Sequence, residues 1–152
     1  MEMMGLVVII ILATLAMLFV IQFVVLKEPT EIKKQYTHTQ LAANTLNAML
    51  ISTTKDCKGQ DLTQLLLDCS ANHYSGGSIQ CDTGQYSCIY SHDTIDGILD
   101  QTLVKWNKAF NFTVRMDGID VIEPITNGKC VGERQTKIYP ISNMLVRLDI
   151  CG

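Results

Sequence analysis

Six cysteines, Cys57, Cys69, Cys81, Cys88, Cys130 and Cys151, and three histidines, His38, His73 and His92, are the residues here that could carry covalent or metal chemistry. An even cysteine count, confined to the chain beyond residue 56, suits the disulfide framework of an exported domain. No two cysteines are separated by two residues, which removes the dithiol redox motif and the usual zinc knuckle. A metal site built from His73, His92 and Cys81 or Cys88 would have a ligand spacing that fits no common pattern, so no metal ligand is assigned. The chain also lacks a Gly-x-Ser-x-Gly elbow, a phosphate-cradling glycine loop and a Gly-x-Gly-x-x-Gly fingerprint. It is therefore expected to have no catalytic residues, no cofactor and no enzymatic activity. Asn111-Phe112-Thr113 is its only glycosylation sequon, and strand alternation puts Asn111 and Thr113 on the face opposite Phe112, where Asn111 is expected to be exposed and open to modification.

The elements that must position these residues follow from periodicity. Residues 62–69 read as a short helix, with Cys57 and Cys69 bracketing it, while Cys81 and Cys88 bracket a glycine-containing turn. Local pairing, Cys57 with Cys69 and Cys81 with Cys88, is the expectation from that spacing. Residues 56–90 are polar and carry little core, and Ser75-Gly76-Gly77-Ser78 reads as a flexible loop. Ile95, Ile98, Leu99, Thr102, Leu103, Trp106 and Phe110 recur at helical spacing, which predicts an amphipathic helix over 94–109 covering a sheet. Phe112, Val114 and Met116 alternate with polar residues, and Asp117-Gly118 then turns into 119–122, a hairpin signature. A second strand pair is predicted at 133–139 and 145–151. The fold class is thus α+β, a disulfide-stabilised domain over 55–152 with a helix packed on an antiparallel sheet.

Residues 1–54 are of another kind. The first 26 contain no Lys, Arg, Asp or His, and 5–26 are almost unbroken apolar residues, about 33 Å long as a helix at ~1.5 Å per residue. Leu41, Ala42, Thr45, Leu46, Met49 and Leu50 then form one helical stripe, so the simplest expectation is a single long helix from Met1 to about Thr53, apolar over 5–26 and amphipathic over 30–53, in which Pro29 either kinks the helix or opens a new one; two independent helices are the alternative. A secretory signal peptide does not fit, because Glu2 is the sole charge ahead of the apolar run. Lys27, Lys33 and Lys34 follow that run and by the positive-inside rule would keep the cysteine-rich part in the cytoplasm. The conflict disappears if a basic leader set the topology and was then removed. Beyond Glu2 the chain holds 12 basic and 14 acidic residues, which gives no electrostatic case for nucleic acid.

The layout resembles type IV pilins and archaeal pilin-like subunits: a polar tip at Met1 to Met4, an apolar helix over 5–26, an amphipathic continuation and a C-terminal β domain ending Val146-Arg147-Leu148-Asp149-Ile150-Cys151. The resemblance implies a Cys130–Cys151 disulfide, a leader cut by a prepilin peptidase, residence in the cytoplasmic membrane before assembly, and a homopolymeric extracellular filament raised by pilus assembly machinery. Glu2, Gly5, Leu6, Ile10, Leu15, Phe19 and Phe23 would belong to the assembly helix. Glu2 would either complement the helix dipole or neutralise an α-amino group in a packed apolar core. Many bacterial pilins carry a glutamate at the fifth mature position, whereas that place here is Gly5. The alternative expectation is a single-pass anchored surface protein whose β domain binds a partner as a monomer.

Overall fold

A computed structural model describes residues 2–21 and 30–151. The chain divides into two compact units, Met1–Gln35 and Tyr36–Gly152. In the first, α1 runs over Glu2–Val20. The helix forms despite its β-branched valines and isoleucines, whose restricted χ1 lowers helix propensity only slightly. Its one hydroxyl turns inward, Thr14 Oγ1 donating to the Ile11 carbonyl at 2.9 Å. Among the described residues, no helix is long and apolar enough to cross a membrane. Of the helix expected from Met1 to about Thr53, α1 and α2 (Thr30–Leu50) are described, and the chain between residues 21 and 30 lies outside the described residues. The expected kink at Pro29 lies outside the described residues.

In the second unit, α2 belongs to the core rather than to a separate stalk. Ala42, Leu46, Met49 and Leu50 are buried in the same apolar cluster as the sheet. The predicted stripe is thus a packing face, with Leu41 and Thr45 at its half-buried margin. Residues 56–90 also contribute more core than their polar composition predicts: α3 (Leu62–Ala71) is capped by Asp61, whose side chain accepts from the Gln64 N–H at 2.8 Å, and buries Leu62, Leu65 and Leu66 completely.

The predicted helix over 94–109 is displaced. α4 spans Ser87–Leu99, a π-helical turn follows over Asp100–Val104, and Ala109 already begins β1. The early start escapes an apolar pattern because its buried face opens with Ser87, Tyr90 and Ser91. The early end reflects Asn107, which adopts φ 53°, leaving Trp106 51 % exposed and handing Phe110 to the sheet.

Five strands form one antiparallel sheet ordered β2-β1-β5-β4, with β3 also pairing β1. They are β1 (Ala109–Met116), β2 (Ile119–Asp120), β3 (Ile125–Asn127), β4 (Arg134–Ile141) and β5 (Met144–Cys151). Asp117 and Gly118 take φ 52° and 84°, the left-handed pair that a two-residue hairpin turn requires. Phe110, Phe112, Val114 and Met116 sit opposite Ile150, Leu148, Val146 and Met144. Phe110, Phe112, Val114 and all four β5 partners are buried, Met116 partly so, and α2, α3 and α4 cover this face.

Three disulfides staple the domain: Cys57–Cys81, Cys69–Cys88 and Cys130–Cys151. The last is the pair that the resemblance implied. The other two cross, correcting the local pairing of Cys57 with Cys69 and Cys81 with Cys88. Cys57 lies ahead of α3 and Cys69 within its last turn, and the helix rises about 10 Å from Leu62 to Cys69, farther than the roughly 4–7 Å to which bonded Cα atoms must approach. Cys88 instead sits in the first turn of α4 beside the end of α3, with its Cα 4.9 Å from that of Cys69. Each closed loop limits the unfolded chain by about 3 kcal/mol in the chain-entropy model. Peptide mapping of non-reduced protein should recover the crossed pairs, and recovery of a Cys57–Cys69 peptide would contradict this fold.

Candidate functional site

The largest unusual surface among the described residues is α1. Every described side chain from Val7 to Ile21 is exposed, including Ile10 at 54 %, Leu15 at 47 % and Phe19 at 60 %. Gly5 is exposed as well, and a methyl added there would meet nothing within 4 Å. Of the residues expected in the assembly helix, the side chains of Glu2 and Leu6 and the whole of Phe23 lie outside the described residues. A soluble monomer rarely presents a contiguous apolar patch beyond a few hundred Å². Sheathing this helix requires other apolar surface.

In the second unit, a carboxylate clasp fixes the polar segment. The Asp68 side chain, on the last turns of α3, accepts from the Ser78 N–H at 2.8 Å, the Ile79 N–H at 2.9 Å, the Ser78 hydroxyl, and the Ser87 hydroxyl at 2.5 Å. The 76–79 loop is also laced to the start of α4, Ser87 N–H to Ile79 O and Cys88 N–H to Gly76 O. The expected flexible loop is therefore tied down, and Gly77 is buried. Its φ is 105°, and a Cβ there would come within 1.9 Å of Ser87 Oγ, so glycine is required on both counts. Partial burial pushes the Asp68 carboxyl up, but the hydrogen bonds from Ser78, Ser87 and Ile79 outweigh it and hold the carboxyl at about 2, below the ordinary 3.8. The only sequence signal for this clasp is the Gly76-Gly77 pair between two serines.

Two clefts lie beside the clasp. One, of about 350 Å³, is lined by His73, His92, Cys88, Ile89, Glu123 and the 121–122 segment. The other, of about 290 Å³, is lined by Ala71, His73, Tyr74, Met116, Ile119 and Val121. The two histidines weighed as metal ligands do share a cleft, but Cys81 and Cys88 are tied up as disulfides. Among the described residues no group of three histidine, cysteine or carboxylate side chains could hold a metal ion.

The sequon is less open than alternation predicts. Asn111 and Thr113 do face away from Phe112, yet Thr113 is only 8 % exposed and Asn111 half-buried. By register Asn111 lies between Thr126 of β3 and Asp149 of β5. Asp149 is itself 1 % exposed and satisfied by Arg147 at 3.0 Å, by the Thr136 hydroxyl at 2.6 Å and, more distantly, by Arg134. A polar face thus becomes buried by its own side chains, which period-two patterning does not register.

The chain matches no protein-family model, no curated protein and no solved structure.

Because the folded Asp68 carboxyl is depressed, its stabilising contribution is complete above about pH 4 and is lost as pH falls towards about 2. Asp68→Asn should cost about 1–2 kcal/mol at neutral pH, after allowance for partial solvent screening, and flatten the acid limb of the stability curve between those values. Thermal melts from pH 2 to 7 check this; an unchanged acid limb would count against the clasp.

Proposed function

We propose that this chain is a non-enzymatic structural subunit that polymerises through its N-terminal helix into an extracellular filament of the type IV pilus kind. The observation that carries the reading is α1, whose side chains from Val7 to Ile21 are all exposed and, apart from Thr14, all apolar. Packing such helices side by side removes that surface from water at roughly 25 cal/mol per Å². Contacts of one copy with the next that do not close on themselves then propagate as a filament. The three disulfides support an oxidising, extracellular setting for the outer domain. Residence in the membrane before assembly would require the apolar helix to continue through 22–26, which lie outside the described residues. The Cys130–Cys151 bond and the amphipathic α2 packed on an antiparallel sheet support the resemblance on which the filament rests.

A charge in the middle of α1 tests this directly. Leu15→Arg should abolish polymer, with an unchanged near-ultraviolet circular dichroism spectrum of the outer domain. Electron microscopy of material sheared from cells gives the readout. Normal filaments from the variant would overturn the proposal, and wild-type material that leaves the membrane only in detergent, as monomers, would favour an anchored surface protein instead.

A further inference from the structure

Cys57, Cys69, Cys81 and Cys88 lie within one polar segment and can pair among themselves in three ways. The crossed pairs join cysteines 24 and 19 residues apart, whereas pairing Cys57 with Cys69 and Cys81 with Cys88 would close loops half as long or shorter. In an unstructured chain each doubling of loop length lowers the chance of closure about threefold, so loop entropy alone favours the local pairs. The crossed pattern therefore requires the end of α3 to meet the start of α4 while the sulfurs are still free.

The Asp68 clasp makes that contact without a sulfur. Asp68 precedes Cys69 and Ser87 precedes Cys88, and the Asp68 carboxylate accepts from the Ser87 hydroxyl at 2.5 Å. One residue on, the Cα atoms of Cys69 and Cys88 stand 4.9 Å apart. Bonds from the Ser78 and Ile79 N–H groups to Asp68, and from the Ser87 and Cys88 N–H groups to the Ile79 and Gly76 carbonyls, draw the intervening loop into the same junction. Hydrogen bonds to a carboxylate are among the stronger noncovalent contacts. Gly77 is fitted to them, since a Cβ there would lie 1.9 Å from Ser87 Oγ and 3.0 Å from Asp68 Oδ2. Cys69 is fully buried, whereas Cys88 is half-exposed and lines the 350 Å³ cleft.

We propose that the Asp68 clasp is a positioning device for oxidation, which holds Cys69 beside Cys88 before their bond forms and so selects the crossed pairing over the local one. The oxidant is a small disulfide such as oxidised glutathione. The Cys88 thiolate, reachable through the cleft, attacks one of its sulfurs and displaces a glutathione thiolate; the Cys69 thiolate then attacks the Cys88 sulfur and expels the second. The two electrons and two protons of the cysteine pair end on two reduced glutathiones, and Cys57 and Cys81 are left for each other. This selection is independent of the filament reading.

The test refolds the reduced full chain in detergent micelles with a glutathione redox buffer and maps the disulfides by mass spectrometry of non-reduced peptides. Wild type should give the crossed pairs. Asp68→Asn, and Gly77→Ala, which crowds the clasp without altering its partners, should each lower the ratio of crossed to local product about tenfold, the change that roughly 1.4 kcal/mol produces. In the folded variants the Cys69–Cys88 bond should also be reduced at a lower ratio of reduced to oxidised glutathione, with the Cys130–Cys151 equilibrium unchanged. Asp61→Ala removes the N-cap of the same helix without touching α4 and should shift neither readout. Should Asp68→Asn not fold, Ser87→Ala, which leaves the bonds of Asp68 to Ser78 and Ile79 in place, should still move the product ratio in the same direction. Wild-type ratios in the clasp variants, or an equal shift in Asp61→Ala, would overturn the proposal.

Discussion

The second unit depends on one apolar seam, the even-numbered side chains of β1 and β5 buried beneath three helices. Phe110, Phe112, Val114, Val146, Leu148 and Ile150 are all at most 2 % exposed, and each meets its neighbour across the same antiparallel register. A one-residue slip would turn every one of them to the opposite face and bring Arg147 and Asp149 under the helices. The two-residue turn at Asp117-Gly118 fixes β1 against β2 on one side of that pair, and the Cys130–Cys151 disulfide ties the end of β5 to the chain ahead of β4 on the other. Everything else in the unit is arranged to keep helices pressed on this seam.

That requirement explains why the polar segment between α2 and α4 is so heavily fastened. Its helix α3 supplies three buried leucines, but the chain on either side is rich in Ser, Gly, Asp and Asn and would gain little by collapsing alone. Asp68 and Cys69 are adjacent, and they tie the end of α3 to the start of α4 by two different means, hydrogen bonds to Ser78 and Ser87 and a covalent bond to Cys88. The second crossed disulfide anchors the chain ahead of α3 to the turn ahead of α4. Helix ends that lack apolar cover are held by covalent and charge-assisted contacts instead.

Much of this layout was legible in the residues. The Asp117-Gly118 hairpin, the alternation of Val146, Leu148 and Ile150, and the α2 stripe all rest on local periodicity, and each lies where that periodicity puts it. What escaped was non-local. The crossed disulfides depend on where α3 and α4 dock, the early start of α4 on serines that are buried because they face that docking surface, and the Asp68 clasp on three segments meeting. The sequon misled for the same reason, since long neighbours on the polar face of the sheet cover Thr113.

A helix apolar on every side also has no preferred rotation about its own axis. Turning α1 by any angle exposes and buries side chains of the same kind, so its burial energy is nearly isotropic, and Thr14, already bonded to its own backbone, supplies no mark of orientation. In a polymer built on such helices, cohesion and geometry become separable quantities. The greasy stem sets how strongly copies hold together, while twist and rise are left to whatever directional contacts the outer domains make. Subunits of this design could change the pitch of their assembly by altering surface residues, with the stem sequence untouched.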